Sequence, residues 1–142
     1  MVVLDGKQTS INIQDEIAIQ VKQRVANGSK KPHLAAILVG SNGASETYVG
    51  AKVKACQRVG FESSLIRFDE NISEQELLAE VRKINNNDQI DGLIVQLPLP
   101  SHINEMKVTE TILPTKDVDG FHPENIGKMA LNLPTFLPAT PA

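Results

Sequence analysis

Leu34-Ala-Ala-Ile-Leu-Val39 runs straight into Gly40-Ser-Asn-Gly43, and Ser45 to Val59 follows as a helical stretch closed by Gly60. Six apolar residues in succession fit a strand covered on both faces, and the glycine-bounded turn fits its exit into a helix. A doubly covered strand followed by a helix is the unit of a parallel sheet. The pattern recurs downstream. Ser63 to Phe68 reads as a second strand, and Ser73 with Glu76 forms a capping box ahead of Leu77, Leu78, Val81 and Ile84. Leu93-Ile-Val95 reads as a third short buried strand, and Pro98 and Pro100 end regular structure after it.

Upstream, Ile13, Ile17, Val21 and Val25 recur at i, i+4 within Lys7 to Ala26, which predicts a helix with one apolar face and a stop at Gly28. Downstream, Ile103 to Leu113 and Asn125 to Leu131 predict shorter helices. The expected fold is α/β: an open, mostly parallel sheet flanked by helices in three layers, as one domain. Ligands of such sheets bind beyond the carboxyl ends of the strands. That rule selects Gly40 to Tyr48, Arg67 to Asn71 and Gln96 to Pro100.

Composition narrows the function. The 142 residues are 41% hydrophobic and 22% charged, enough for a core and unlike a disordered chain. A net charge of -3 argues against a nucleic-acid partner. The single cysteine, Cys56, permits no internal disulfide and fits a reducing compartment. Met1 to Gly6 has no signal-peptide character, and no apolar run is long enough to span a membrane, so a cytoplasmic location and no membrane partner are expected.

The chemistry-bearing residues fall at the selected strand ends. Gly40-Ser-Asn-Gly43 matches neither G-x-G-x-x-G nor the phosphate loop ending in G-K-[ST], and a plain strand-to-helix turn is its simpler reading. Tyr48 and Lys52 share a helix face at i, i+4; standing alone, such a pair is usually a solvated one. An ordinary lysine has a pKa of about 10.4, so service as a base needs a drop of roughly three units, about 4 kcal/mol; otherwise it acts as a cation or acid. Gln96 ends the third strand, where a buried amide must find partners or pin the next loop. Asp117 and Asp119, in Lys116-Asp-Val-Asp-Gly120, read equally as loop-structuring residues. Their spacing misses the calcium-loop pattern, and His33, His102, His122 and Cys56 lack ligand spacing, so no metal is expected.

Together these stretches resemble the methylenetetrahydrofolate dehydrogenase/cyclohydrolase family. The matching segments are Val39-Gly40 with Ala44-Ser45 and Tyr48-Val-Gly-Ala-Lys52, then Asp91-Gly-Leu-Ile-Val-Gln-Leu-Pro-Leu-Pro100, then Lys116-Asp-Val-Asp-Gly-Phe-His-Pro-Glu-Asn-Ile-Gly127. Pro138-Ala-Thr-Pro141 looks like the start of the family's P-C-T-P-x-G signature, with Ala139 where cysteine is common. The resemblance implies that residues 1–142 form the folate-binding catalytic domain. It places the Rossmann-type nucleotide-binding domain, and with it NAD(P), outside this chain.

By the same resemblance Lys52 is the principal catalytic residue, Tyr48 stacks on folate and helps position it, and Gln96 tunes the lysine. Asp119 grips the pterin, and Ser45, Leu97 and Pro98 line the pocket. The family oxidises 5,10-methylenetetrahydrofolate with NAD(P)+ and hydrolyses the methenyl product to 10-formyltetrahydrofolate. This stretch alone is then expected to lack dehydrogenase activity and to show weak or no cyclohydrolase turnover. The parent enzyme is expected to be a homodimer and the stretch alone a monomer. Two other readings stand beside it: a non-catalytic folate-binding module, and the amino-terminal domain of another two-domain dehydrogenase. The second has no need of the pterin clamp that Asp119 would supply.

Overall fold

The computed structural model describes residues 5–139; Met1 to Leu4 and Thr140 to Ala142, the latter including the end of the Pro138–Pro141 segment, lie outside the described residues. The order is α1 (Gly6–Ala26), β1 (His33–Val39), α2 (Gly43–Val59), β2 (Glu62–Phe68), α3 (Glu74–Asn85), β3 (Gly92–Val95), α4 (Glu105–Thr111) and α5 (Pro123–Ala130). The strands form a parallel sheet in the order β2-β1-β3, with Ile37 opposite Ile66 on one side and Val95 on the other. The α/β architecture and the single domain follow the sequence reading.

The central strand explains the layers. Alternate residues of β1 face opposite ways: Ala35, Ile37 and Val39 join Leu77, Leu78, Val81, Leu93, Val95 and Val108 in the main core, under α3 and α4. Ala36 and Leu38 face the other way and pack with Val49 of α2. A strand buried on both faces can therefore be apolar at every position, as Leu34–Val39 is.

Local chemistry sets the helix ends. Asn42 caps α2 by accepting from Ala44 N and Ser45 N, and Gly60 ends it with φ of 84°. The Ser73–Glu76 capping box opens α3 as its sequence predicts. At the other end of α3, Lys116 Nζ donates to the carbonyls of Ile84 and Asn87 at 2.9 and 2.8 Å, tying the 116–120 turn to the core. The backbone completes that tie: Leu93 N donates to Lys116 O at 2.7 Å, beside an isolated parallel bridge between Leu93 and Asp117.

The helix α1 forms where its i, i+4 spacing predicts, but that face is covered only in part: Val21 is enclosed, while Ile13 is 50% and Val25 37% exposed. The helix lies along α2, with Asp15 paired to Arg58 at 3.0 Å, and α2 covers only part of its apolar stripe. Of the final two helices, α4 is shorter than the predicted Ile103–Leu113, whereas α5 begins two residues before the predicted Asn125. Asn104 caps α4 through Lys107 N, and Pro123 occupies the first turn of α5 behind its cap, His122.

Candidate functional site

The carboxyl ends of β1 and β3 open onto the beginning of α2 and the 116–120 turn, and here four of the residues singled out from sequence meet. Lys52, half-buried on the third turn of α2, donates from Nζ to Gln96 Oε1 at 3.4 Å. Gln96 is fixed at both ends. Its backbone N donates to Ile37 O at 2.9 Å, and its side-chain Nε2 donates to Leu97 O at 2.8 Å. The amide oxygen is thereby turned toward the lysine. The next peptide, Leu97–Pro98, is cis.

Asp119 completes the group. Burial pushes its carboxyl pKa up, the nearby Lys52 ammonium pulls it down, and Asp117 pushes it up again; the net direction is upward. Asp119 is thus a carboxylate short of solvent that feels the Lys52 ammonium without a direct hydrogen bond to it. Asp119 and Leu97 also line a narrow crevice with Leu93, Val95, Thr109 and Phe121. With a free volume of about 10 Å³ this crevice has room for about one water, so it is packing space beside Asp119 and not a ligand pocket.

The remaining predicted residues take different stations. Ser45, 3% exposed, is enclosed in the first turn of α2, and Tyr48 presents its ring to solvent at 65% exposure, one turn before Lys52. Pro98 is exposed beside half-buried Leu97. The Arg67–Asn71 region is engaged internally: Arg67 forms a two-pronged pair with Glu46, 2.7 Å at one prong, and Asp69 accepts from Asn71 N at 2.9 Å. Asp117 separates from Asp119 in role, since it is 2% exposed and its Oδ2 accepts from His122 N and Asn125 Nδ2, each at 2.8 Å. The histidines are dispersed: His33 bonds Ser64, His102 reaches Ile72 O, and His122 caps α5. Asn125, which lies in the Lys116–Gly127 segment but has no role assigned by the resemblance, and Thr135, outside any motif, join this turn to the 135–138 segment.

The Gly40–Gly43 turn does not fit a dinucleotide phosphate, because Asn42 already occupies the Ala44 and Ser45 amides that would face one.

Comparison with known proteins bears on the family and the fold. Residues 4–119 match the family model described as tetrahydrofolate dehydrogenase/cyclohydrolase, catalytic domain. The bifunctional protein FolD of Flavobacterium psychrophilum is 60% identical over 141 residues, covering 99% of this chain and 48% of the relative. That of Bacteroides thetaiotaomicron is also 60% identical, with the same coverage. Among solved structures, the bifunctional methylenetetrahydrofolate dehydrogenase/cyclohydrolase FolD from Campylobacter jejuni superposes with a TM-score of 0.96 at 45% identity, covering 99% of this chain and 50% of its own. The Trypanosoma brucei enzyme, complexed with NADP cofactor and inhibitor, gives 0.86 at 32% identity, covering 90% and 43%. The chain spans about half the length of the curated relatives it matches.

Proposed function

This chain belongs to the tetrahydrofolate dehydrogenase/cyclohydrolase family, and from that premise we propose that it carries the folate-binding, proton-handling part of a one-carbon enzyme. The whole enzyme would oxidise 5,10-methylenetetrahydrofolate to the methenyl cation and hydrolyse that cation to 10-formyltetrahydrofolate. In this reading residues 1–142 are the folate domain. The nicotinamide cofactor, NAD(P), belongs to the part of the relatives that this chain does not span, so no hydride step is derived from these residues.

The observation that carries the reading is the Lys52–Gln96 pair beside Asp119. The methenyl carbon is already electrophilic, and hydrolysis needs a placed water and a route for protons. Water adding to that carbon must lose a proton, and the ring nitrogen released as the carbon–nitrogen bond opens must gain one. Lys52, held toward the site by Gln96, is the group that moves them. Asp119 accepts from the ring nitrogen and exocyclic amine of the pterin, two donors that restore the hydrogen bonds its burial removes. Tyr48 offers an exposed ring to the flat p-aminobenzoyl group, and Ser45, Leu97 and Pro98 shape the entrance. A cytoplasmic homodimer is the proposed state of the whole enzyme.

Two measurements test this. Tetrahydrofolate titrated into the chain is expected to bind, and Asp119→Ala is expected to weaken binding about tenfold or more, the loss of charged hydrogen bonds; undiminished affinity would overturn the pterin role. Methenyltetrahydrofolate absorbance is then followed with the wild type and with Lys52→Ala. Turnover is expected to be slow, since a misplacement of 1 Å costs on the order of 100-fold. Any excess over buffer should vanish in the variant, and identical non-zero rates would remove Lys52 from the chemistry.

A further inference from the structure

Asp117 and Asn125 are each 2% exposed and stand at the centre of a polar chain. Asn125 Nδ2 donates to Asp117 Oδ2 at 2.8 Å and to Pro114 O at 2.9 Å, and its Oδ1 accepts from Thr135 Oγ1 at 2.7 Å. Asp117 in turn receives His122 N. The loop at Pro114, the first turn of α5 and the segment around Thr135 are thus joined through two buried side chains. A network satisfied at every member fixes its parts relative to one another more sharply than apolar packing does.

A second fastening is steric. A Cβ on Gly120 would stand 2.8 Å from Pro138 N and 2.9 Å from Phe136 O, so the 135–138 segment lies directly on that glycine. Asp119 is the residue next to this contact and two from Asp117. The turn that presents it is therefore clamped at both ends by one stretch of chain, through Thr135 at one end and through Phe136 and Pro138 at the other.

We propose that Thr135, acting through Asn125 and Asp117, is a positioning residue that holds Asp119 in its place opposite Lys52. Its consequence for folate rests on the reading of Asp119 as the pterin-binding carboxylate; its consequence for Asp119 itself does not. Loosening the clamp lets the 116–120 turn take on water, which relaxes the burial that sets the proton affinity of Asp119.

The test compares Thr135→Val, which keeps the shape and removes the hydroxyl, with Thr135→Ser, which keeps the hydroxyl. The primary readout is the ligand-free titration of the Asp119 carboxyl by carbon NMR, accompanied by tetrahydrofolate affinity and thermal melting. In Thr135→Val the Asp119 midpoint is expected to move toward the ordinary aspartate value, and affinity to fall about tenfold. Thr135→Ser should stay near wild type in both. A lowered melting temperature with an unmoved Asp119 midpoint makes Thr135 merely structural and overturns the proposal. Should Thr135→Val not fold, Thr135→Ala is read by the same midpoint. If Asp119→Ala binds tetrahydrofolate as wild type does, the pterin reading fails while the midpoint still decides the clamp.

Discussion

Lys52 Nζ lies 3.4 Å from Gln96 Oε1, a contact between a helix on one face of the sheet and the residue that leaves its third strand. The two are 44 positions apart, and the strand backbone holds the glutamine through Ile37. If Gln96 acts by aiming the lysine, its removal should disable the same step. Gln96→Ala is expected to cut methenyltetrahydrofolate hydrolysis on the order of 100-fold while changing tetrahydrofolate affinity less. The double variant with Lys52→Ala should be no worse than Lys52→Ala alone, because groups that act as a unit are not additive. Additive losses would show that Gln96 works independently of Lys52.

Gly92 opens β3 with no room for a side chain. A Cβ there would stand 2.6 Å from Val118 Cγ1 and 3.3 Å from Leu34 Cδ1. Gly92→Ala is expected to cost about 1–3 kcal/mol by overpacking, measured by denaturant unfolding. The obstruction is a side chain, so Val118→Ala in the same molecule should recover much of the loss. No recovery would place the strain elsewhere.

Gly120 differs in kind. Its φ is 70°, and a Cβ would meet backbone, Pro138 N and Phe136 O, together with the Pro138 ring carbon Cδ. Gly120→Ala combines a left-handed cost of roughly 1–2 kcal/mol with a clash of about 1–3 kcal/mol. Side-chain truncation should not relieve it fully, because the two backbone contacts remain. Unfolding measurements are expected to rank Gly120→Ala below Gly92→Ala, and tetrahydrofolate affinity should fall with it; equal stability would contradict the tight seat of the 136–138 segment.

What sequence reveals here depends on how local the cause is. Leu34–Val39 is legible because a strand covered on both faces is apolar throughout, and Ser73–Glu76 because a capping box closes within one turn. The α1 stripe is legible only in part because periodicity reports an apolar face without reporting what covers it. Residue spacing puts Lys52 on a helix face near a strand end but does not bring it to Gln96; that pairing is a product of the parallel register, and the family resemblance supplied it ahead of the structure. The burial of Asn125 stays hidden for a different reason. On α5 the polar Asn125 is buried while Ile126 is 38% exposed, an inversion of the usual pattern that Asp117 and Thr135 make possible by satisfying the amide.

Asp119 sets function against stability. Its carboxyl pKa is raised, first by burial, with Asp117 adding to the rise and Lys52 opposing it. A carboxyl that holds its proton more tightly when folded favours the folded state at low pH. That advantage is lost as pH rises from the ordinary aspartate range, about 3.8 to 4, through the elevated folded value. At neutral pH the ionised Asp119 therefore opposes folding. Asp119→Asn keeps the shape and removes the charge, so its melting temperature should exceed that of wild type at pH 7. The gain should shrink toward pH 3, where the wild-type group is protonated. The same variant should bind tetrahydrofolate more weakly, since an amide presents one acceptor oxygen where the carboxylate presents two. Melting curves at both pH values and one titration decide it. A variant less stable than wild type at pH 7 would mean that the attraction to Lys52 outweighs the cost of burial.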